Sequence, residues 1–171
     1  NQIALKDKNV VLLSGDIGNK MFDQFKKDCP KQFINCGIAE ANMMSVAAGM
    51  ALCNLRPIIY TITPFTTIRC LEQIKIGVAY HKAPVIIVGT GSGLSYSELG
   101  PTHHSLDDIA ILKTVPEINI LAPSDSIELA EFLREAVKSE LPTYIRIGKK
   151  GEPNLNSLSN NITIGKANFL K

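Results

Sequence analysis

Several short stretches of this sequence combine residue types that can move protons or hold charged ligands. Glu40 opens Gly37-Ile38-Ala39-Glu40-Ala41-Asn42, where almost every neighbour is uncharged. Such an acid is either a helix-start residue, stabilised by free backbone N–H groups and the helix dipole, or a half-buried carboxylate able to share a proton with a ligand nitrogen. His103 and His104 follow Gly100-Pro101-Thr102. On a Gly/Pro loop beyond a buried strand, a histidine is well placed to contact substrate or to make a structural hydrogen bond. Adjacent histidines seldom share one metal, and no third ligand stands at a helical i+4 offset. Arg69 and Arg146 are the two arginines nearest strand ends, where a guanidinium can grip phosphate or carboxylate with two parallel donors or make an ordinary salt bridge. Phe65, between Pro64 and two threonines, is a ligand-facing ring or a strand-end core residue. The glycines of Gly89-Thr90-Gly91-Ser92-Gly93 fit neither G-x-G-x-x-G nor a G-K-[ST] phosphate loop. They let the backbone turn sharply beside a ligand or a partner chain.

Short apolar runs alternate with helical patterns, and together they must position these groups. Val10 to Leu13 stops at Ser14-Gly15-Asp16, Ala83 to Val88 at Gly89, Ile118 to Leu121 at Ala122-Pro123 and Thr143 to Ile147 at Gly148, and Pro57 to Ile62 is a fifth such run. Being mostly apolar rather than cleanly alternating, they read as five strands covered on both faces. Helices are expected over Ala39–Cys53, Ile68–Tyr80 and Ser126–Lys138, the last capped by Asp125 or Ser124. The fold class that follows is α/β: a doubly wound, mainly parallel sheet with helices on both faces. The loop from Gly89 to Leu106 leaves a buried strand at the carboxyl edge of that sheet, where open α/β folds bind ligands. Residues 1–150 read as one domain. Residues 151–171, with their Pro-Asn-Leu-Asn-Ser-Leu-Ser-Asn-Asn run, read as a terminal strand or extension toward a neighbouring module.

Composition narrows the function. The chain has 171 residues, 45% of them hydrophobic and 20% charged, and a formal charge of only +2. That balance argues against a nucleic-acid or anionic-membrane partner, and no apolar stretch approaches membrane-spanning length. The four cysteines lie far apart with no C-x-x-C pair, which fits a reducing, cytoplasmic setting and no metal site. Cys53 and Cys70 fall in apolar helical patterns, where buried thiols are expected. The N-terminal residues carry no secretory signal pattern.

Taken in order, GIAEANMMSVAAGMAL, IIYTITPFTTIRCLEQI, GTGSGLSYSELGPTHHSLDDIAIL, VPEINILAPSD and PTYIRIG resemble the pyrimidine-binding domain of the transketolase family over roughly residues 10 to 150. That family includes deoxyxylulose-phosphate synthases and the beta subunits of 2-oxo acid dehydrogenases, which are the alternative enzyme readings. The stretch THHSLDDIAIL most resembles the C-terminal subunit of transketolases whose two halves are separate chains. The resemblance implies thiamine diphosphate as cofactor and transfer of a two-carbon ketol unit between sugar phosphates. It implies that Glu40 hydrogen-bonds the cofactor's pyrimidine N1′, that Phe65 lies in the segment placing an aromatic ring against that pyrimidine, and that Asp16 lies near the active site after the first strand. It also implies that His103 contacts substrate and acts in catalysis, and that Arg146, with Arg69 as a further candidate, holds the substrate. Leu99 stands where the family usually has an acid that selects sugar hydroxyls. No G-D-G followed by a distant N-N is present, so Mg²⁺ and the diphosphate are expected on an N-terminal diphosphate-binding subunit or domain. A homodimer is expected as well, with the small-residue helix Ala39–Cys53 contributing to its surface. A non-catalytic assembly module of the same fold is the alternative outside the enzymes.

Overall fold

The computed structural model describes residues 1–18, 20–150, 152–155 and 163–166. Apolar strand residues of alternating direction organise it. Along β1 (Val10–Ser14), Val11 and Leu13 face one side of the sheet while Val10 and Leu12 face the other. All five residues of that strand are buried. The first side is covered by α3 (Glu40–Leu52), whose Met43, Met44, Ala47, Ala48 and Ala51 pack on Leu13 and Ile59. Further cover on this side comes from a helical stretch over Gln73–Ala79 and from α5 (Asp108–Leu112), whose Leu112 is fully buried there. The opposite side carries α1 (Gln2–Lys6), α2 (Asp23–Asp28) and α6 (Ser126–Lys138). Each fully buried Leu or Ile contributes about 1.5–3 kcal/mol, so both layers are needed to hold the sheet.

Six strands form the sheet: β1, β2 (Phe33–Asn35), β3 (Arg56–Ile62), β4 (Ile86–Thr90), β5 (Asn119–Leu121) and β6 (Thr143–Arg146). Their spatial order is β2-β1-β3-β4-β6-β5, and every pairing is parallel. The expected doubly wound α/β sheet is therefore present and parallel throughout. The chain winds outward in one direction from β1 to β2 and in the other from β3, which leaves a crevice above the carboxyl ends of β1 and β3.

The structure departs from the sequence expectation in several places, and four short helices were not expected at all: Gln2–Lys6, Asp23–Asp28, Thr63–Thr66 and Asp108–Leu112. Phe33–Asn35 is a sixth strand, an edge piece of three half-exposed residues whose pattern is too short to register. Gly89 does not end its strand; β4 runs on through Thr90. The helix expected over Ile68–Tyr80 is a 3₁₀ turn at Ile68–Cys70 followed by a wider π-helical segment at Gln73–Ala79. In that segment Ile74, Val78 and Ala79 are all buried, and Gly77 lies against α3 with Ala48 Cβ 3.6 Å from where its own Cβ would sit. Widening the turn lets residues five apart share the buried side. The α6 helix spans the expected residues, and Asp125 is its cap, accepting from Ile127 N at 3.0 Å and Glu128 N at 2.8 Å.

Of the expected C-terminal extension, Glu152–Leu155 lie beside the start of α6, where Leu155 N donates to Asp125 Oδ2 at 2.8 Å. Residues 151, 156–162 and 167–171 lie outside the described residues.

Candidate cofactor half-site at the carboxyl edge

Glu40 is the first residue of α3 and only 4% exposed. Two neighbours make that burial possible. Gly15, just past β1, comes so close that a Cβ there would lie 3.5 Å from Glu40 Cγ and 3.2 Å from Thr61. Arg69 supplies the compensating charge, its Nη1 donating to Glu40 Oε2 at 2.9 Å. The same guanidinium lies over the ring of Phe65, with Cζ 3.9 Å from the centroid. Phe65 belongs to α4 (Thr63–Thr66), the single turn that follows β3, with Pro64 near its start. Its ring in turn meets the His103 ring edge-on at 5.1 Å. Glu40, Arg69, Phe65 and His103, drawn from three parts of the sequence, thus form one contiguous row.

The loop from Gly91 to Leu106 carries His103. Gly91 has φ +75°, and a Cβ on it would collide with the Tyr96 ring, so this position demands glycine. An antiparallel bridge between Gly93 and Ser105 closes the loop. His103 Nδ1 lies 3.0 Å from Thr102 Oγ1, and its ring is also edge-on to Tyr96 at 6.1 Å. His104 contacts the Ser97 carbonyl at 3.3 Å through Nε2, a link within the loop. Lys149 lies over Tyr96 and pairs with Glu98 at 2.9 Å.

The other two sequence candidates stand apart from that row. Asp16 lies past β1 in a left-handed conformation (φ 56°) and accepts from Asn35 Nδ2 at 2.9 Å. Arg146, the last residue of β6, has its Nε 2.9 Å from Asp108 Oδ2 and one Nη 3.4 Å from the Ser105 carbonyl. Asp108 is 1% exposed and also accepts from Tyr144 Oη at 2.7 Å. Burial, and then the Asp108 carboxylate, push the Tyr144 phenol well above its ordinary range. Gly89 leaves room for this network: its missing Cβ would sit 3.0 Å from Tyr144 Oη and from the hydroxyls of Thr63 and Thr66.

Sequence reasoning missed Asp108, Tyr144 and Gly15. Asp108 falls between the Gly89–Leu106 loop and the next expected strand, where no element was expected, while Tyr144 reads as one more strand residue and Gly15 as a turn. The only signal for Gly15 was its place directly after a buried strand. One expectation about the thiols is corrected: Cys70 is buried, but Cys53 ends α3 and is exposed. Cys70 donates to the Phe65 carbonyl at 3.1 Å, and burial, with the Glu40 charge second, pushes its thiol up to about 12. Among the described residues no group of three His, Cys, Asp or Glu side chains is disposed to hold a metal ion.

A doubly wound parallel sheet with a buried acid, a cation and an aromatic ring gathered past its strand ends has the architecture in which open α/β folds bind ligands. The family model described as "transketolase, pyrimidine binding domain" matches residues 1–153, and the chain belongs to that family. It is 35% identical over 171 residues to an apulose-4-phosphate transketolase subunit of Phocaeicola vulgatus, covering 99% of this chain and 55% of that one. Over the same length it is 31% identical to a 6-deoxy-6-sulfo-D-fructose transketolase subunit of Clostridium sp., covering 99% and 53%. The chain spans about half the length of these curated relatives. Among solved structures, a split-gene transketolase described as an inactive beta4 tetramer superposes with TM-score 0.85 at 28% identity, over 96% of this chain and 53% of that one. Transketolase from Campylobacter jejuni superposes with TM-score 0.78 at 18% identity over 91% of this chain and 25% of that one, a likeness of fold.

Proposed function

We propose that this chain is the pyrimidine-binding part of a thiamine-diphosphate-dependent transketolase that moves a two-carbon ketol unit between sugar phosphates. The observation that carries this reading is the flat guanidinium of Arg69 lying between the Glu40 carboxylate and the Phe65 face. A niche that holds a planar N–H donor in this way suits an aminopyrimidine. When bound, thiamine diphosphate supplies the carbon nucleophile that breaks and forms the carbon–carbon bond. Glu40 would hold a proton at the ring nitrogen and take it back, Phe65 would stack on the ring, and His103 would meet the sugar beyond it. Asp16 is proposed near the same cofactor. Arg146 is proposed on the substrate side, with Asp108 fixing its guanidinium so that its outer edge faces a phosphate, and Arg69, which fills the pyrimidine niche here, reaches that side only when displaced from it. The names of the sugar and sugar-phosphate transketolase relatives support that substrate class.

The diphosphate and Mg²⁺ belong, in this reading, to an N-terminal partner subunit or domain. The relatives' subunit naming and the absence of a G-D-G…N-N pattern support it. The family match ending at residue 153 supports a domain boundary near residue 150. The chain by itself is then expected to bind thiamine diphosphate weakly and to show no transferase activity. Calorimetry with Mg²⁺ and cofactor checks this, and tight binding by the chain alone would overturn the divided site.

Self-association through the outer side of α3 is part of the proposal. Val46 is 41% and Leu52 56% exposed there, Gly49 has open space around it, and Ile38 beside the helix is 80% exposed. The beta4 tetramer of the split-gene relative supports association between like chains. Cys53, at the end of this surface, reports on it: at low protein concentration it should be alkylated first, well before buried Cys29 and Cys70. At concentrations where sedimentation detects a dimer, its labelling should slow several-fold. Unchanged labelling across the monomer–dimer transition would place the interface elsewhere. A cytoplasmic setting is part of the same proposal, and the four free thiols support it.

A further inference from the structure

Glu40 and Arg69 are unequal partners. Glu40 is 4% exposed and held at the start of α3, whereas the Arg69 side chain is 44% exposed and stands on the 3₁₀ turn Ile68–Cys70. The Phe65 ring beneath the guanidinium has its backbone tied down, because its carbonyl accepts from buried Cys70. Carboxylate and ring are therefore fixed, and the group between them can leave by rotating its own long side chain into water.

Resting on the pyrimidine reading above, we propose that Arg69 is a latch: its guanidinium takes the carboxylate and ring-face contacts of the cofactor's aminopyrimidine and must swing out before that ring can dock. A guanidinium and an aminopyrimidine are both flat, delocalised and able to present N–H to a carboxylate, so one replaces the other contact for contact. The exchange has a built-in selectivity. Glu40 stripped of Arg69 and given nothing in return would be a buried, unpaired carboxylate, which is strongly unfavourable. Arg69 is thus released only to a ligand that brings its own donor to Glu40 and its own flat face to Phe65. Before such a ligand arrives, the latch keeps the carboxylate neutralised and lowers the apparent affinity by the fraction of time it stays closed.

The probe for this is the isolated ring, 4-amino-5-hydroxymethyl-2-methylpyrimidine, titrated into the full chain and followed by NMR at Glu40 and Phe65. Arg69→Met removes the guanidinium while keeping chain length, and should bind the probe about tenfold more tightly than the parent. Arg69→Lys can still pair with Glu40 but cannot stack flat on Phe65, and should fall between the two. Guanidinium ion, added far below denaturing concentration, should refill the vacated niche. It should weaken probe binding to Arg69→Met while leaving the parent unchanged, an effect that a merely structural salt bridge would not produce. Arg69→Lys carries the test if Arg69→Met does not fold. Equal affinities in parent and variants would overturn the latch and leave the pyrimidine site standing. A probe that shifts neither Glu40 nor Phe65 in any of the chains would overturn both.

Discussion

Glu40→Gln, in the enzyme reassembled with its diphosphate-binding partner, will lose nearly all turnover while the chain stays folded and the cofactor still docks. Glutamine matches glutamate in size, can still accept from Arg69 Nη1, and can still hydrogen-bond a ring nitrogen. It cannot supply a proton to that nitrogen and recover it. The loss therefore falls on the chemical step rather than on binding: kcat should drop by roughly 10²–10⁴-fold, the usual worth of a positioned proton transfer, with little change in cofactor affinity. Stability should fall by only about 0.5–2 kcal/mol, the value of a negative charge in the first turn of a helix together with an ion pair to a half-exposed arginine. The direct measurement is exchange of the cofactor's C2 proton for deuterium, read by NMR after rapid quench. If Glu40→Gln exchanges that proton as fast as the parent, Glu40 is only a helix-start acid held by Arg69.

Asp108→Ala has the opposite signature, a large loss of stability from a residue outside the Glu40 row. Its carboxylate is 1% exposed and receives both Tyr144 Oη and Arg146 Nε. Alanine leaves a buried phenol and a mostly buried guanidinium without their acceptor. Breaking a fully buried pair costs about 3–5 kcal/mol. With Arg146 26% exposed, water recovers part of that, so about 2–4 kcal/mol is expected. For a domain of this size the melting temperature should fall by roughly 4–16 °C. Asp108→Asn keeps an acceptor for Tyr144 and should lose less. A melting temperature within about 2 °C of the parent for Asp108→Ala would show that the network contributes little. The same network gives a clean test of Arg146 in the reassembled enzyme. If its outer edge holds phosphate, Arg146→Ala should raise KM for a sugar phosphate and spare an unphosphorylated donor such as hydroxypyruvate. Equal losses on both donors would make Arg146 an anchor of the loop through Asp108 and Ser105 and nothing more.

Glu40 and Asp108 show how far the sequence could be read. Both open helices in the structure, but only the helix at Glu40 was expected from the sequence. Glu40 stood out because its neighbours along the chain are small and uncharged, a local signal. Asp108 did not, because what makes it unusual is Tyr144 and Arg146, 36 and 38 residues later, and no local pattern announces a contact across that distance. Arg69 was legible only as a cation near a strand end. It stands on a 3₁₀ turn where one continuous helix from Ile68 was expected, and its contact with Glu40 spans 29 residues, which no local pattern announces. The short edge strand at Phe33–Asn35 went unseen for a related reason. Three half-exposed residues carry no period, and they become a strand because β1 offers a row of unpaired backbone groups beside them.

By itself the sequence determined the alternation of buried strands and helices, hence a doubly wound parallel sheet, because apolar runs of this length have few other ways to hide both faces. It also determined that the ring and the histidine lie past strand ends and that the acid opens a helix, because turn residues follow those runs and small, uncharged residues surround Glu40. Which of those groups touch was decided only in three dimensions. Glu40 meets Arg69, Arg69 covers Phe65 and Phe65 meets His103, while Asp16 turns to Asn35 and Arg146 to Asp108. The strand order and the crevice between β1 and β3 set those partnerships, since a side chain finds its partner from whichever loops the crossovers bring to the same stretch of sheet edge.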